Sequence, residues 1–482
     1  MSGADYPRDL VYPDHFHREA TPAWIAATLT AVGQRAPAID GPFRYLDLGC
    51  GSGLAAALLA AVHPHAQFTG VDFNPRHVAQ AGALARHCPN LNVVESSFDS
   101  LAGDPAMLGE PYDFIVLHGV YSWVSPAQRD AIGMLIERLL APGGIVYLHY
   151  TTHPGHSAVA GLQAMLHRSA AIMPGDSTAK IEQAFSMVRA LARGDAGYFA
   201  AQPAVASLIE QRGESAAYLA HDLLPRDWSA LHVADVIDAM SALGCDYVGS
   251  ATLIENVDLL SVPAASVPVI GALPEVRARE TARDLARNQS LRRDLYRRGW
   301  QGLSPAAYRD QLDTLRIVGL GNAPVDRDLI VPTRAGAVSV DAAAVLPLRE
   351  ALRGNAVRTF GALRRETAQD TGISLRAMLA MIAAGEAHPA IALVPDAVLS
   401  AQRLNRALVK RGDQRGWLAA PGIGSAIAVD ATGMALTRAL LDDPALRGAA
   451  LARHSGLDVP IIAAFERETL PRWQALGIIP NR

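Results

Sequence analysis

The stretch LDLGCGSG (residues 46–53) decides the fold of this chain. It overlaps the end of the apolar run RYLDL (44–48) and leads into LAAALLAAVH (54–63), which has the composition of a buried helix. This order predicts a strand, a tight glycine loop and a helix. Glycines at such a turn allow the backbone to bend sharply and to approach a ligand closely.

The alternation of strand and helix continues beyond this loop. Strands are predicted over 67–71, 91–95, 113–118, 145–150, 245–253 and 290–298, and helices over 75–87, 126–140, 229–243 and 274–287. The first five of these seven strands, counted from 44–48, alternate with helices and indicate an α/β fold with a mostly parallel, doubly wound, Rossmann-like sheet. A ligand crevice in such a sheet lies at the carboxyl ends of the strands.

Two regions interrupt or follow the sheet. Residues 156–228 contain no strand pattern and are predicted to be a helical insertion, so that residues 41–155 and 229–310 form the sheet domain. The proline-rich stretch 321–333 is a candidate linker to a separate, mostly helical C-terminal domain over 325–482. Strands near 329–340, helices over 343–353, 356–369 and 374–385, and a hairpin over 417–429 are predicted there. That order is compatible with a winged-helix shape.

Composition limits the classes of partner. Of 482 residues, 50% are hydrophobic and 19% charged, and the formal net charge is -4, which argues against general binding to nucleic acid or anionic lipid. Three cysteines without paired spacing suit a reducing compartment, and the N-terminus lacks the pattern of a signal peptide. A cytoplasmic protein that does not insert into a membrane is therefore expected. The oligomeric state stays open, a homodimer included.

The acids around the glycine loop indicate which ligand the crevice takes. Asp47 precedes the spaced glycines, and Leu54 stands where a dinucleotide fingerprint needs its last glycine. A carboxylate there would repel a pyrophosphate and attract an ammonium or sulfonium, both of which S-adenosylmethionine carries. Asp72, at the end of the second strand, is placed to accept hydrogen bonds from ribose hydroxyls. Asp99, after the third strand, could accept one from the adenine amino group, with Phe98 against the ring.

The alternative for each of these residues is a glycine turn and acids that only cap helices, but the joint order along 41–155 resembles that of the class I S-adenosylmethionine-dependent methyltransferases. The resemblance implies S-adenosylmethionine as the cofactor and needs no metal. It implies the following cofactor-binding residues: Tyr12, Asp47, Gly49, Cys50, Gly51, Gly53, Asp72, Phe73, Phe98, Asp99 and His118.

Two segments at strand ends are candidates for the acceptor side. HGVYSWVSP (118–126) follows the fourth strand and HYTTHPGHS (149–157) follows the fifth. From them we expect a substrate pocket with Tyr121, Trp123 and Thr151, and catalytic groups among His118, Tyr121, Tyr150 and His153. Aromatic rings at this place can face a cation or an amine. They could equally pack under the next helix, and the polar groups could belong to a domain seam.

These segments resemble those of bacterial methyltransferases with a methyltransferase regulatory domain, in particular the rickettsial-type protein lysine methyltransferases. YPDHFHREATP (12–22), YLAHDLL (218–224) and RNQSLRRDL (287–295) resemble further signatures of that group. The resemblance implies a protein or peptide lysine as acceptor and an N-terminal lid over residues 1–40. The chain departs from the pattern at 149–151, where His-Tyr-Thr replaces Ser-Tyr-Asn, and this departure bears on the substrate more than on the cofactor.

Other interpretations stay open. The acceptor could be a small-molecule amine or a natural product, and the chain could instead be a scaffold or regulator that binds S-adenosylmethionine. The histidines of 149–156 lack an acid or cysteine nearby, so they favour no metal site. The arginine-rich segment RNQSLRRDLYRRG (287–299) could bind a phosphate, although a strand face or a domain seam explains it more simply.

Overall fold

The computed structural model describes residues 6–7, 9–210, 215–321, 325–412 and 415–481. The predicted strands form one seven-stranded sheet in the order β3-β2-β1-β4-β5-β7-β6. The strands are β1 (Arg44–Leu48), β2 (Gln67–Asp72), β3 (Leu91–Glu95), β4 (Tyr112–Leu117), β5 (Leu140–Thr151), β6 (Cys245–Ser250) and β7 (Leu291–Arg298). Strands β1 to β5 pair in parallel, and β7 lies antiparallel between β5 and β6. The mostly parallel, Rossmann-like sheet is thus confirmed.

Helices cover both faces of the sheet. Along β1, Tyr45 packs with helix α2 on one face, and Leu46 packs with α5 on the other, as the two-residue period of a strand requires. The helices of this part are α1 (Pro22–Ala31), α2 (Leu54–Val62), α3 (Pro75–Ala85), α4 (Phe98–Gly103) and α5 (Pro126–Leu139). Each stays close to its predicted bounds where a helix was predicted.

Strand β5 departs from its predicted start at 145. It begins at Leu140, which pairs with Tyr112, and the next pair is Phe114 with Ile145. Residues 141–144 therefore bulge out of the ladder while the strand continues on both sides. Periodicity could not show this, because a proline and two glycines occupy the bulge.

The insertion after β5 is helical, as predicted. It contains α6 (Val159–Ile172), α7 (Ser177–Arg193), α8 (Gly197–Ala201), α9 (Pro203–Glu210) and α10 (Ala216–Leu223). These helices bury their own core around Leu166, Phe185 and Ile209. The chain returns to the sheet at β6 through α11 (Val233–Ala242), and β6 is connected to β7 by α12 (Asp258–Ser261), α13 (Val267–Gly271) and α14 (Val276–Arg287).

The C-terminal region is mostly helical. Its elements are α15 (Pro305–Thr314), β8 (Arg316–Gly319), β9 (Leu329–Thr333), β10 (Gly336–Val340), α16 (Ala342–Ala351), β11 (Val357–Thr359), α17 (Phe360–Thr367), α18 (Thr371–Ala383), β12 (Ala387–Pro389), α19 (Pro395–Lys410), β13 (Arg415–Ala420), β14 (Ser425–Asp430), α20 (Ala431–Asp442), α21 (Gly448–Ser455), α22 (Val459–Glu468) and α23 (Leu470–Ala475). The helix predicted over 356–369 is wrong at its start, because β11 occupies 357–359.

The predicted hairpin over 417–429 is present as β13 and β14. It does not join the sheet beside α16 to α18, which consists of β11, β8 and β12. The winged-helix shape suggested for these helices and this hairpin is therefore not formed by them. The central strand of the three-stranded sheet beside these helices is β8, which precedes the helices in the chain, and the hairpin contributes no strand to that sheet.

The C-terminal region packs on the sheet domain. Ala401, Leu404 and Leu408 of α19 belong to the same buried cluster as Leu58 of α2. The domain limits stay a prediction, but these two regions share a core. Among the helices of the described residues, none is both long enough and apolar enough to cross a membrane.

Candidate functional site

The glycine loop after β1 uses its three glycines differently. All three have positive φ, at 90° for Gly49, 55° for Gly51 and 72° for Gly53. A Cβ at Gly49 would stand 2.4 Å from Val120 Cγ2, and one at Gly53 would stand 2.5 Å from Ala81 Cβ. A Cβ at Gly51 would meet nothing within 4 Å. The outer glycines thus permit packing inside the protein, and the middle one keeps space open.

That space belongs to two adjoining cavities of about 800 and 680 Å³. Both are lined by Tyr12, Gly49, Gly51 and His118. The first cavity is also lined by Tyr6, Asp72, Phe73, His77, Ser96, Ser97, Phe98, Gly119, Val120, Trp123, Val124 and Gln128. The second is also lined by Asp47, Cys50, Ser52, His15, Phe16 and His17, among others. They lie at the carboxyl ends of β1, β2 and β4, where the sequence predicts the crevice.

Asp72 ties the glycine loop to the N-terminal segment. Its Oδ2 accepts the Gly51 N–H at 2.9 Å, and its Oδ1 lies 3.2 Å from His77 Nδ1. His77 Nε2 accepts the N–H of Tyr12 at 3.1 Å, so its Nδ1 faces Asp72 as the donor. The carboxylate is therefore fixed on the cavity wall by groups from two directions.

Asp47 is the buried acid of the second cavity. It is 7% exposed, and burial, with a smaller contribution from the charge of Asp72, raises its pKa to about 7. A buried carboxylate with such a pKa gains most from a cation placed next to it. The site thus offers a place for positive charge beside the glycine loop.

Aromatic rings line the first cavity. Phe73 and Phe98 both face it, and the ring of Tyr6 packs edge-on against Phe73 at 5.7 Å. Asp99, predicted to contact the ligand, lines neither cavity, because its exposed carboxylate accepts a hydrogen bond from Gln128 Nε2 at 2.8 Å. Gln128 lines the cavity in its place, and Asp99 holds it there.

Three histidines stack beside the cavities. The ring of His118 lies 3.7 Å from that of His17 and 4.1 Å from that of His149, both nearly parallel, and we name these three the histidine column. The ring of Trp123 lies parallel to that of His149 at 6.3 Å. The N–H of Gly119 donates to His149 Nδ1 at 3.0 Å, which leaves the proton of a neutral ring on Nε2.

The histidine column is uncharged at neutral pH. Burial lowers the pKa of His17 to about 3 and lowers the pKa values of His118 and His149 well below the ordinary value. The positive charge of Arg293 acts in the same direction on all three rings. The wall is therefore aromatic and neutral, with ring nitrogens available for hydrogen bonds.

Two tyrosines predicted to be catalytic, Tyr121 and Tyr150, lie away from the two cavities. Tyr150 is fully buried and donates its hydroxyl to Asp294 Oδ2 at 2.6 Å. Strand alternation explains this, because Tyr147 and His149 occupy the other face of β5. Tyr121 is 6% exposed and packs in the apolar cluster shared with α5. Packing under the following helix, the simpler alternative for Tyr121, is what the structure has.

Thr151 and His153 also line neither cavity. Thr151 is buried, and its Oγ1 bonds with Ser122 Oγ at 3.0 Å. His153 Nδ1 lies 2.6 Å from Ser157 Oγ, and its ring stacks on His232 at 4.4 Å. Both side chains hold the turn after β5, whereas His118 and Trp123 line the first cavity.

Several residues that line the two cavities were not predicted from the sequence. They are Tyr6, His15, His17, His77, Ser96, Ser97 and Gln128. His15 and His17 could have been found from the sequence, because they lie in the N-terminal segment that was expected to cover the site. No pattern in the sequence singles out Gln128 or His77, because each sits on a helix that the fold happens to bring to the cavity.

The N-terminal segment lies across the cavities. Tyr12 packs its ring against His221 at 5.4 Å and Tyr218 at 5.8 Å, both on α10 of the insertion. Asp14 accepts a hydrogen bond from Ser52 Oγ at 2.5 Å and pairs with Arg411 Nη2 at 2.9 Å. The segment is therefore held by the glycine loop, the insertion and the end of α19.

Comparison with known proteins places two parts of the chain. Residues 46–146 match a family described as "Methyltransferase domain", and residues 215–298 match one described as "Predicted methyltransferase regulatory domain". An uncharacterized protein of Synechocystis is 29% identical over 446 residues, which is 88% of this chain and 85% of that protein. A trans-aconitate 2-methyltransferase of Streptomyces avermitilis is 36% identical over 104 residues, 21% of this chain and 37% of that enzyme.

A solved structure shares the fold across almost the whole chain. PKMT2 from Rickettsia typhi, determined in complex with AdoHcy, superposes with a TM-score of 0.69 at 16% identity. The match covers 97% of this chain and 99% of that one. An uncharacterized protein of Rickettsia prowazekii is 24% identical over 290 residues, and the match spans about half of its length, 51%. The fold likeness thus includes the insertion and the C-terminal region.

Proposed function

Because this chain is a class I S-adenosylmethionine-dependent methyltransferase with a methyltransferase regulatory domain, we propose that it transfers the methyl group to the side-chain amine of a protein lysine. S-adenosylmethionine supplies, when bound, a methyl group made electrophilic by the positive sulfur that carries it. The protein then has to place an unprotonated amine in line with that group.

The residues around the two cavities fit this cofactor. Asp47 stands where a carboxylate can pair with positive charge, and Asp72 can accept hydrogen bonds from ribose hydroxyls. Phe73 and Phe98 offer rings to the adenine, and the bare Cα of Gly51 leaves room for close approach. We therefore assign the first cavity to the adenosine half and the second to the methionine half.

The observation that carries an amine acceptor is the neutral histidine column. A lysine ammonium cannot attack, because its nitrogen has no free lone pair. Burial beside uncharged aromatic rings lowers the pKa of an amine and so favours the reactive form. With its proton on Nδ1, donated to the Tyr147 phenol 3.0 Å away, His118 can accept an N–H of that amine at Nε2 and orient it. Since the pKa of His17 is about 3, the column positions the amine, and the proton leaves to water.

A small-molecule acceptor is the second candidate. It is favoured by the N-terminal segment, which lies across both cavities, and by the local identity to a trans-aconitate 2-methyltransferase. A closed pocket admits a small acceptor more easily than a polypeptide. The two candidates differ in where the methyl group ends up.

Incubation with methyl-labelled S-adenosylmethionine and a lysate of the source organism separates them. We expect the label in the protein fraction, with at least about a tenfold excess over a control containing the Gly51→Leu variant. Label confined to the small-molecule fraction would support the second candidate instead. Absence of transfer to either fraction, with cofactor binding intact, would contradict both.

The acid in the second cavity makes cofactor affinity depend on pH. Since the pKa of Asp47 is raised to about 7, its carboxylate is increasingly protonated as the pH falls below that value. A cation binds the ionised form better, so the Kd for S-adenosylmethionine should rise toward about tenfold per pH unit between pH 7 and 5.5.

Calorimetric titration of the wild type and of Asp47→Asn over that pH range checks this prediction. The variant should bind about 10- to 100-fold more weakly at pH 7.5, because a charge-assisted contact is lost, and should show a flat pH profile. An equally steep profile in the variant would show that another group is responsible.

A further inference from the structure

The arginine-rich segment 287–299 contains five guanidinium groups, and the fold occupies four of them. Their partners are Ser261 and the Glu255 carbonyl for Arg287, the carboxylates of Glu280, Asp284 and Asp294 for Arg292, the Arg35 carbonyl and Gln301 for Arg297, and three carbonyls at the end of α5 for Arg298. These four groups hold the strand, its neighbouring helix and the domain seam together. The fifth group, Arg293, differs.

Arg293 has no anionic partner in the part of the chain that the structure describes. Among the described residues, no carboxylate oxygen lies within 4.0 Å of a guanidinium nitrogen of Arg293, which is the distance limit for an ion pair. Its guanidinium reaches Thr252 Oγ1 at 3.4 Å and the phenol of Tyr147, and its Nε is buried without a hydrogen-bond partner. The hydrogen bonds of this half-buried guanidinium only partly offset the free energy that it loses when water is removed from it.

The side chain stands behind the histidine column. Arg293 of β7 is the cross-strand partner of His149 of β5, so their side chains share one face of the sheet. The Tyr147 phenol bonds to both Arg293 and His118 Nδ1, the latter at 3.0 Å. Arg293 is therefore separated by Tyr147 from His118, whose ring lines both cavities. No lysine or arginine is among the residues that line the two cavities.

A second guanidinium, that of Arg334, lies at the protein surface on the same side as Arg293. Arg334, in the turn between β9 and β10, is exposed and donates from Nη1 to Ser290 Oγ at 2.6 Å. Ser290 lines a groove of about 1170 Å³ between the turn after β5 and α9 of the insertion, together with His156 and Leu208. Partial desolvation lowers the pKa of Arg334, and the nearby charge of Arg293 acts in the same direction, so a carboxylate that binds beside Arg334 is also attracted toward Arg293.

We propose that Arg293 binds a carboxylate of the methyl acceptor, with Arg334 at the entrance. Guanidinium groups bind carboxylates through two parallel hydrogen bonds, which fixes the position of the bound group as well as its charge. If the proposed lysine function holds, on which this part rests, the target lysine has an acidic residue next to it. The carboxylate would hold the acceptor while the amine reaches the cofactor.

Two pools of lysine peptides with random flanks test this, one with Glu and one with Gln beside the lysine. We expect the wild type to methylate the Glu pool with about 10- to 100-fold higher kcat/KM, the range for a charge-assisted hydrogen bond. In Arg293→Gln the preference should fall to about one, and Arg293→Lys should restore part of it. Arg316→Gln, an exposed arginine of β8, is the matched control and should keep the preference.

The outcomes separate this proposal from the function on which it rests. A Glu preference that survives in Arg293→Gln overturns it, as does a loss of S-adenosylmethionine affinity in that variant, which would assign Arg293 to the cofactor. If the wild type methylates neither pool, the lysine function fails, and glutarate binding in the presence of S-adenosylhomocysteine decides the subsite. Binding to the wild type and not to Arg293→Gln supports the proposal, and no binding to the wild type overturns it.

Discussion

Replacing Gly51 with leucine is expected to raise the Kd for S-adenosylmethionine by about 100-fold or more while the protein stays folded. The position has a φ of 55°, and a Cβ there meets no atom within 4 Å. A leucine therefore projects into the open space that both cavities share, without striking the protein. The left-handed backbone adds a strain of about 1–2 kcal/mol, which a chain with several buried cores should tolerate.

Equilibrium dialysis with labelled cofactor, beside a thermal unfolding curve, measures both effects. Gly51→Ala is the graded control, since it adds one methyl group and should weaken binding less. Gly53→Leu is the contrasting control, because its Cβ would stand 2.5 Å from Ala81 Cβ and should lower the stability. Unchanged cofactor affinity in a folded Gly51→Leu would show that the cofactor lies elsewhere.

Replacing Arg292 with methionine is expected to cost about 3–5 kcal/mol of folding free energy at pH 7, as the removal of one partner from a buried ion network does. Its guanidinium is 3% exposed and meets Glu280 at 2.8 Å, Asp284 at 2.5 Å and Asp294 at 2.9 Å. Burial raises the pKa of Glu280, but the charges of Arg292 and Arg283 outweigh it and hold that pKa below its ordinary value. Without Arg292 these acids must be buried unpaired or take up protons.

The loss should depend on pH in a defined direction. In the variant, the folded-state pKa values of the three acids rise above those of the unfolded chain, so folding takes up protons and stability falls as the pH rises. Asp284 shows the tendency already, since burial raises its pKa to about 7 even beside Arg292. The loss of folding free energy caused by Arg292→Met should therefore be smaller at pH 5.5 than at pH 8.

Denaturant midpoints at the two pH values test this prediction. Arg277→Met is the matched control, because Arg277 lies in α14, the helix that carries Glu280 and Asp284, pairs with Asp238 and is about half exposed, at 48%. Its midpoint should stay unchanged at both pH values. An equal loss in both variants, or a loss that grows as the pH falls, would contradict the role assigned to the network.

The elements around the glycine loop could be predicted because each carries its own local pattern. The strand β1, the glycines and Asp72 follow from apolar runs and turn residues, and the sheet order then brings them together. The hairpin of β13 and β14 could be predicted from its local sequence in the same way. Its packing on α2 and α19 was not, because local sequence does not specify which distant surface a hairpin meets.

The acceptor side was less predictable for a physical reason. Tyr147, His149 and Tyr150 are close in sequence, but the two-residue period of β5 places the first two beside His118 and Gly119 and directs Tyr150 toward Asp294. A one-residue change in the assumed register would exchange these roles. His17 reaches the histidine column from a different segment of the chain, so composition alone could not place it there.

The proposed acceptor of the methyl group is a lysine amine, and the identity of the labelled residue tests this proposal most directly. Protein labelled by the wild type in the lysate should be hydrolysed and its labelled amino acid identified by chromatography and mass analysis. We predict that the label is in methylated lysine and is absent from the Gly51→Leu sample. Label in base-labile methyl esters, or in a residue other than lysine, would contradict the account.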